Sequence, residues 1–248
     1  MAQPKPSHSR LEPLVSLVIR TYNRPQYLRD CLDSVTDQDY PRLETILVWN
    51  GGDRQIVSAP NLVEVKLRRA TLGAAMNAGI GAASGEYIYV LDDDDILLPC
   101  AISRSVELAE KRGADLVFSD LLCFSEDVPD GGVFTAQVQT FSECLLAKRI
   151  PHPSSMYRRS FLVTHKLAYD PQYSNAEDYD FILAFLRRKP IIAKLEDPVY
   201  RYRIHATQQY TTATEWPNAM RIRSKWMQIA TVVDSVSDSP FRSRRRNG

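Results

Sequence analysis

The sequence of 248 residues is short of the features that mark out several protein classes. No segment approaches the ~20 apolar residues of a membrane-spanning helix. The opening MAQPKPSHSRLEP places prolines and polar groups where a signal peptide needs an apolar stretch. Neither sign of charge is in excess: 31 basic and 30 acidic residues leave a net +1, without the basic footprint of a duplex-binding protein, so no nucleic acid partner is expected. Cysteine is scarce, with Cys31, Cys100, Cys123 and Cys144 scattered singly, and the four histidines do not cluster. That spacing excludes a zinc module and points to reduced thiols in the cytoplasm. There is no internal repeat, and no low-complexity tract precedes the terminal RSRRR.

What is present is an alternation of strands and helices in a chain that is 44% apolar and 25% charged, long enough for a covered core. Residues 1–13, rich in proline and serine, read as a flexible leader. Residues 14–19, LVSLVI, have the length and composition of a strand buried on both faces. A polar turn, Thr21-Tyr22-Asn23-Arg24, ends it. Leu28, Cys31, Leu32 and Val35 then fall at helical spacing behind Pro25, a residue suited to a first helical turn. A second strand over 44–49 stops at Asn50-Gly51-Gly52-Asp53. This βαβ order predicts a right-handed crossover and a parallel sheet whose carboxyl ends, where both polar turns sit, bind the ligand.

The pattern continues with a short strand over 63–67, a helix over 74–83, a strand over 86–91, a helix from Pro99 to Arg112 and a strand over 114–120. The doubly wound part is expected to be complete by Cys123, where the pattern loosens. Beyond it come a loop at His152-Pro153-Ser154-Ser155, a helix over 178–188 with Phe181, Ile182, Phe185 and Leu186 on one side, and a strand-like stretch over 198–204.

The most informative junction is GEYIYVL running into Asp92-Asp93-Asp94-Asp95. Four carboxylates at the end of a buried strand repel one another unless a cation or strong donors balance them. A divalent ion is the natural counter-charge, and Mg²⁺ commonly retains substrate phosphates in its shell. The bland alternative is a solvated acidic turn; its place at a strand end, before a proline-started helix, argues against that. Glu177-Asp178 opens the later helix, where the helix dipole favours an ionised carboxylate able to accept a proton. Tyr22 offers an aromatic face for a nucleobase beside the small polar Thr21 and Asn23. His205, after YRYRI, becomes a metal or phosphate ligand if the chain folds back over the aspartates.

Taken in order, VSLVIRTYNRPQYLRDCLDSV, LETILVWNGGD, MNAGIGAASGEYIYVLDDDD, AEDYDF and YRIH resemble family 2 of the glycosyltransferases, over a span from Val15 to His205. The resemblance implies the GT-A fold: α/β, with a Rossmann-like, mostly parallel central sheet flanked by helices, a smaller acceptor-side region and a C-terminal helix. It implies an inverting enzyme that uses Mn²⁺ or Mg²⁺ to transfer a sugar from a nucleotide diphosphate sugar to an acceptor hydroxyl, carbohydrate or lipid-linked. By it, Tyr22 stacks on the base, Asn50 faces the base, Asp93 holds the ribose and Asp92 supports the cluster, with Thr21, Asn23, Arg24 and Asn77 completing the donor contacts. Asp94, joined by His205, ligates the metal; Asp178 is the general base, with Glu177 sharing or replacing it. Many members carry two aspartates where this chain has Trp49-Asn50. An amide suits uracil, thymine or guanine, so UDP-, dTDP- and GDP-sugars all stay open.

The expected organisation is a nucleotide-sugar half at 14–122, an acceptor and base half at 123–212, and a C-terminal helix with a basic tail at 213–248. His152, Ser154 and Ser155 are candidates to line the acceptor side. Met220, Trp226, Met227 and Val233 suggest an amphipathic helix which, with Arg242, Arg244, Arg245 and Arg246, offers a foothold on the inner face of a membrane or a homodimer seam. Two rivals remain. A sugar nucleotidyltransferase needs a glycine-rich phosphate loop after the first strand, and Arg20-Thr21-Tyr22-Asn23 has no glycine. A catalytically silent sugar-nucleotide-binding module would be marked by loss of Asp94 or Asp178, and both are present.

Overall fold

The computed structural model describes residues 12–205 and 212–237, with side chains of the last helix described over 217–229. In chain order the elements are β1 (Val15–Thr21), α1 (Pro25–Thr36), β2 (Leu43–Asn50), β3 (Leu62–Leu67), α2 (Leu72–Ala82), β4 (Tyr87–Asp92), β5 (Ile96–Leu97), α3 (Ala101–Arg112) and β6 (Leu116–Phe118). There follow β7 (Leu121–Phe124), β8 (Val133–Phe134), α4 (Phe141–Leu146), β9 (Met156–Arg158), α5 (Arg159–Thr164), α6 (Glu177–Leu186), β10 (Ile192–Lys194), β11 (Tyr200–Arg203) and α7 (Thr212–Ser237).

The main sheet has seven strands in the order β10-β6-β9-β4-β1-β2-β3. β1 lies parallel between β2 and β4, with Arg20 paired to both Val48 and Asp92. This common register brings the polar ends of β1, β2 and β4 to one edge. Apolar side chains alternate across the sheet. Leu17 and Ile19 pack with α1 and α3 on one face, whereas Val18 joins Met76, Phe181 and Phe185 on the other. Sheets covered on both faces read as near-continuous apolar runs, which is why β1, β2 and β4 are the plainest strands in the sequence. β3, at the edge, leaves Val63, Glu64 and Lys66 exposed, so it reads more weakly.

The main sheet does not end with β6. β9 inserts antiparallel between β4 and β6, and β10 adds a parallel edge strand. These strands are three residues each, too short for periodicity to announce them. A second sheet, β5-β11-β7-β8, brings the late strand β11 beside the residues that follow the aspartates.

α7 packs on α6 through Ile222 and Trp226, both buried, and the Trp226 indole donates to Asp180 Oδ1 at 2.7 Å. Met220 and Met227 are exposed, so Trp226 does not share their face, a correction to the amphipathic grouping drawn from sequence. The reason is that Asp180 supplies a buried partner for the indole and pulls it inward. Val233's side chain and the arginines from 242 onward lie outside the described residues. Among those described, no helix is long and apolar enough to cross a membrane.

α2 approaches the sheet closely at Gly79. A Cβ there would sit 2.5 Å from Val18 Cγ1 and 2.9 Å from Val48 Cγ2, side chains of two central strands. Gly79→Ala is expected to destabilise the fold by about 1–3 kcal/mol through overpacking, despite the better helix propensity of alanine. Urea denaturation checks this; an unchanged midpoint would show that the helix lifts off the sheet without cost.

Candidate active site

The aspartate run follows β4 into a tight turn, in which the Asp95 amide donates to the Asp92 carbonyl at 3.2 Å. Each carboxylate has its own surroundings. Asp95 is fully buried and accepts from the Tyr200 hydroxyl at 2.8 Å and from the Arg203 amide at 2.7 Å, which ties the turn to β11. Burial, reinforced by Asp94 and Asp92, pushes its pKa well above the ordinary value. Asp94 Oδ2 meets Arg24 Nη1 at 2.5 Å and His205 Nε2 at 2.9 Å, and the Asp94 carbonyl accepts from Arg203 Nε at 2.8 Å. The chain therefore folds back over the aspartates, and His205 arrives where the sequence only allowed it to be.

Asp93 Oδ1 accepts from Arg24 Nη1 at 3.1 Å, while Asp93 Oδ2 is buried and has no hydrogen-bond partner. A buried acceptor left unpaired is costly, and this one lacks a partner within the described residues. Burial raises the Asp93 pKa to about 6 against an opposing hydrogen bond from Thr21. Asp92 is also raised by burial, with Arg20 opposing, and its carboxylate lies 3.6 Å from Arg20 Nη2.

Arg20 is the residue that pattern reading passes over. From the end of β1 its guanidinium reaches Asp92 on one side and Glu177 Oε1, at 3.3 Å, on the other. It thereby joins the turn after β4 to the start of α6. The signal was a lone cation at the end of a buried apolar strand, which must find carboxylates. Glu177 is buried, and burial raises its pKa while Arg20 counters. Ala176, buried and left-handed at φ 57, turns the chain so that Glu177 and Asp178 open the helix.

Asp178 pairs with Lys148. Burial is the largest influence and would raise its pKa, but the charge and hydrogen bond of Lys148, together with His152 and the Tyr179 amide, hold the carboxyl below its ordinary value. His152 is the other neighbour; burial drives its own pKa down to about 3, so it is neutral at pH 7 and adds no charge there. Its ring lies 3.4 Å from the Tyr169 hydroxyl. Ser154 and Ser155 are buried in the same loop, where the Ser155 hydroxyl donates to the Pro151 carbonyl at 2.7 Å.

The base-side residues divide into presenters and supports. Tyr22 is 43% exposed, with the Arg69 guanidinium 5.7 Å from its ring centroid. Thr21 is buried at the end of β1. Asn23, left-handed at φ 49, accepts from the Asp53 amide at 3.1 Å. Gly52 lies so close that a Cβ would fall 2.0 Å from Asn23 Oδ1, at a φ of +76 that already requires glycine. Both ends of the Asn50 amide engage the Ala70 backbone, at 3.0 and 2.7 Å, so Asn50 fixes the loop that carries Arg69. Asn77 does the same for Tyr169, at 2.8 Å in each direction.

Asp94 Oδ2 and His205 Nε2 lie 2.9 Å apart and are the two side-chain donors that would hold a divalent ion here. Among the described residues no group of three or more His, Cys, Asp or Glu gathers for a metal, so substrate oxygens and water would complete the shell, as they usually do for Mg²⁺. The donor set fits an ion brought in with a phosphorylated substrate.

The mostly parallel sheet and the carboxylate turn at its edge are those of the GT-A class of α/β transferase. The profile of Glycosyl transferase family 2 matches residues 16–192, and the chain belongs to that family of glycosyltransferases. It is 29% identical over 220 residues to an uncharacterized glycosyltransferase of Methanocaldococcus jannaschii, covering 80% of this chain and 73% of that one. It is 23% identical to the O-antigen biosynthesis glycosyltransferase WbnJ of Escherichia coli, covering 79% of this chain and 82% of that one. Other relatives are longer, and the chain spans 61% of a Bacillus subtilis relative. Among solved structures, S. aureus TarS 1-349 in complex with UDP-GlcNAc shares the fold at a TM-score of 0.66 and 18% identity, covering 86% of this chain and 66% of that one.

Two outcomes are expected from this geometry. Because the folded Asp93 pKa, about 6, lies above the unfolded value, the native state binds the extra proton, and the associated stability is lost as pH rises from about 4 through 6. The stability of Asp93→Asn relative to wild type should therefore rise across that window, by about 2–3 kcal/mol, in urea titrations at pH 4 and pH 7. A flat difference would show that Asp93 is already ionised at no cost. Arg20→Met, which leaves Asp92 and Glu177 uncompensated, should destabilise the protein by about 3 kcal/mol, with Arg20→Lys recovering part of the loss.

Proposed function

We propose that the protein transfers a sugar from a nucleoside diphosphate sugar to an acceptor hydroxyl with inversion at the anomeric carbon, aided by Mn²⁺ or Mg²⁺. The observation that carries this reading is the Arg20 bridge, with Asp92 at 3.6 Å and Glu177 at 3.3 Å, because one side chain then reaches both the strand-end aspartates and the carboxylates of α6. A donor held at the first and an acceptor held at the second meet there, and positioning of this kind supplies much of the rate in a displacement.

In this reading Tyr22 stacks on the base, with Arg69 closing beside it, and Asn50 acts through the loop it holds. The unpaired Asp93 Oδ2 accepts a ribose hydroxyl. Asp94 and His205 would hold the metal, which would supply charge stabilisation to the leaving group. Asp178, kept ionised, accepts the acceptor's hydroxyl proton as that oxygen forms its bond to the anomeric carbon. The bond from that carbon to the diphosphate oxygen breaks in the same displacement, and its electron pair leaves with the diphosphate. Attack from the face opposite the leaving group inverts the centre. The relative named for O-antigen biosynthesis and the fold relative holding UDP-GlcNAc favour a role in glycan assembly and make a UDP-sugar the first donor to try. The acceptor is a carbohydrate or a lipid-linked sugar, reached from the cytoplasm.

The test is a thermal-shift panel of UDP, GDP, dTDP and CDP, each with and without Mn²⁺, on wild type and Asp94→Ala. A ligand at a hundred times its dissociation constant stabilises the folded state by about 2.7 kcal/mol, readily seen in melting. One nucleotide should stabilise the wild type only with Mn²⁺, and Asp94→Ala should lose the effect. No shift with any nucleotide would overturn the reading.

A further inference from the structure

The cluster at the aspartate turn contains two arginines with different attachments. Arg203 is 6% exposed; it donates to the Asp94 carbonyl and, at 2.9 Å, to Asp30, and its guanidinium lies 4.9 Å from the Tyr27 ring centroid and 4.7 Å from that of Phe124. It is built in. Arg24 reaches Asp93 and Asp94, and its side chain is 22% exposed against 10% for Asp94. Its backbone caps the start of α1 ahead of Pro25 and its side chain makes no capping hydrogen bond to the helix, so turning that side chain would break no helix contact.

Arg24 Nη1 takes the same Asp94 oxygen that His205 approaches, which is the edge a divalent ion would share with these two side chains. A guanidinium and a divalent cation on one carboxylate oxygen repel each other, so the two compete for it. We propose that Arg24 is a place-holder for the cation: it occupies the Asp94 edge in the ligand-free enzyme and passes to the donor's diphosphate when the ion enters. This rests on the reading of Asp94 as a metal ligand. The diphosphate suits the released side chain, because a planar guanidinium pairs with phosphate oxygens in bidentate fashion. Metal and nucleotide then bind with positive coupling, since each removes an obstacle to the other.

The experiment titrates Mn²⁺ into wild type, Arg24→Met, Arg24→Lys and Asp94→Asn without nucleotide, counting free ion by electron paramagnetic resonance. UDP is then titrated into each with Mn²⁺ present, by calorimetry. Arg24→Met should bind Mn²⁺ alone about tenfold more tightly than wild type and bind UDP with Mn²⁺ about tenfold more weakly, each a change of about 1.4 kcal/mol. Arg24→Lys, which keeps a charge on the site, should stay near wild type for Mn²⁺, and its melting curve serves as the folding control. If Arg24→Met binds Mn²⁺ no more tightly than wild type while Asp94→Asn loses the ion, the place-holder is overturned and the metal site stands. If Asp94→Asn binds Mn²⁺ as wild type does, with or without UDP, the metal site and the place-holder fall together.

Discussion

The structure turns on a half-buried cation between two carboxylates. Arg20 sits on a strand that pairs with both of its neighbours, so its backbone has no freedom, and its guanidinium is held by Asp92 and Glu177 from different parts of the chain. Ion pairs this enclosed are costly to assemble and contribute little net stability compared with an apolar replacement. Their effect is geometric. The arginine fixes where α6 begins relative to the end of β4, and thereby how far the proposed base stands from the donor.

The same logic runs through the acidic turn. Four adjacent carboxylates would be untenable alone, but the chain meets them with a different partner each: Arg20 for Asp92, Arg24 for Asp93, Arg24 and His205 for Asp94, and Tyr200 with the Arg203 amide for Asp95. The four identical letters thus carry unlike duties. Asp95 is a structural anchor for β11, whereas Asp93 keeps one oxygen unpaired and so remains open to a ligand. A run of identical residues acquires direction from what packs around it.

That difference explains what was legible in the sequence. The strands β1, β2 and β4 and the helices α1 and α3 follow from composition and spacing, because burial on both faces or on one stripe leaves an unmistakable pattern. The aspartate turn, the turn after β1 and the start of α6 were legible as polar interruptions at strand and helix ends. β9 and β10 were not, since three-residue strands borrow their stability from neighbours already in the sheet. The partners of site residues were equally hidden. Asn50 and Asn77 look like ligand contacts, yet each spends its amide on the backbone of a loop, a choice that only the fold can reveal. Lys148 gave no signal, because nothing in its local sequence ties it to Asp178, thirty residues on.

The motif AEDYDF shows how support and chemistry share a single helical turn. Asp178 and Asp180 are two residues apart and so point to different sides of α6. Asp178 meets Lys148, while Asp180 is buried and accepts from the Trp226 indole and, at 2.9 Å, from Lys225. α7 is thereby fastened to the same turn that presents the proposed base. Each carboxylate is paired with a lysine, but to opposite ends. Asp180, with a second donor and a side chain 5% exposed, is a fixed attachment, whereas Asp178, with a side chain 21% exposed, is the more accessible of the two. Movement of α7 would be felt at Asp178 through one helical turn, so the C-terminal helix is coupled mechanically to the turn of α6 that carries the proposed base.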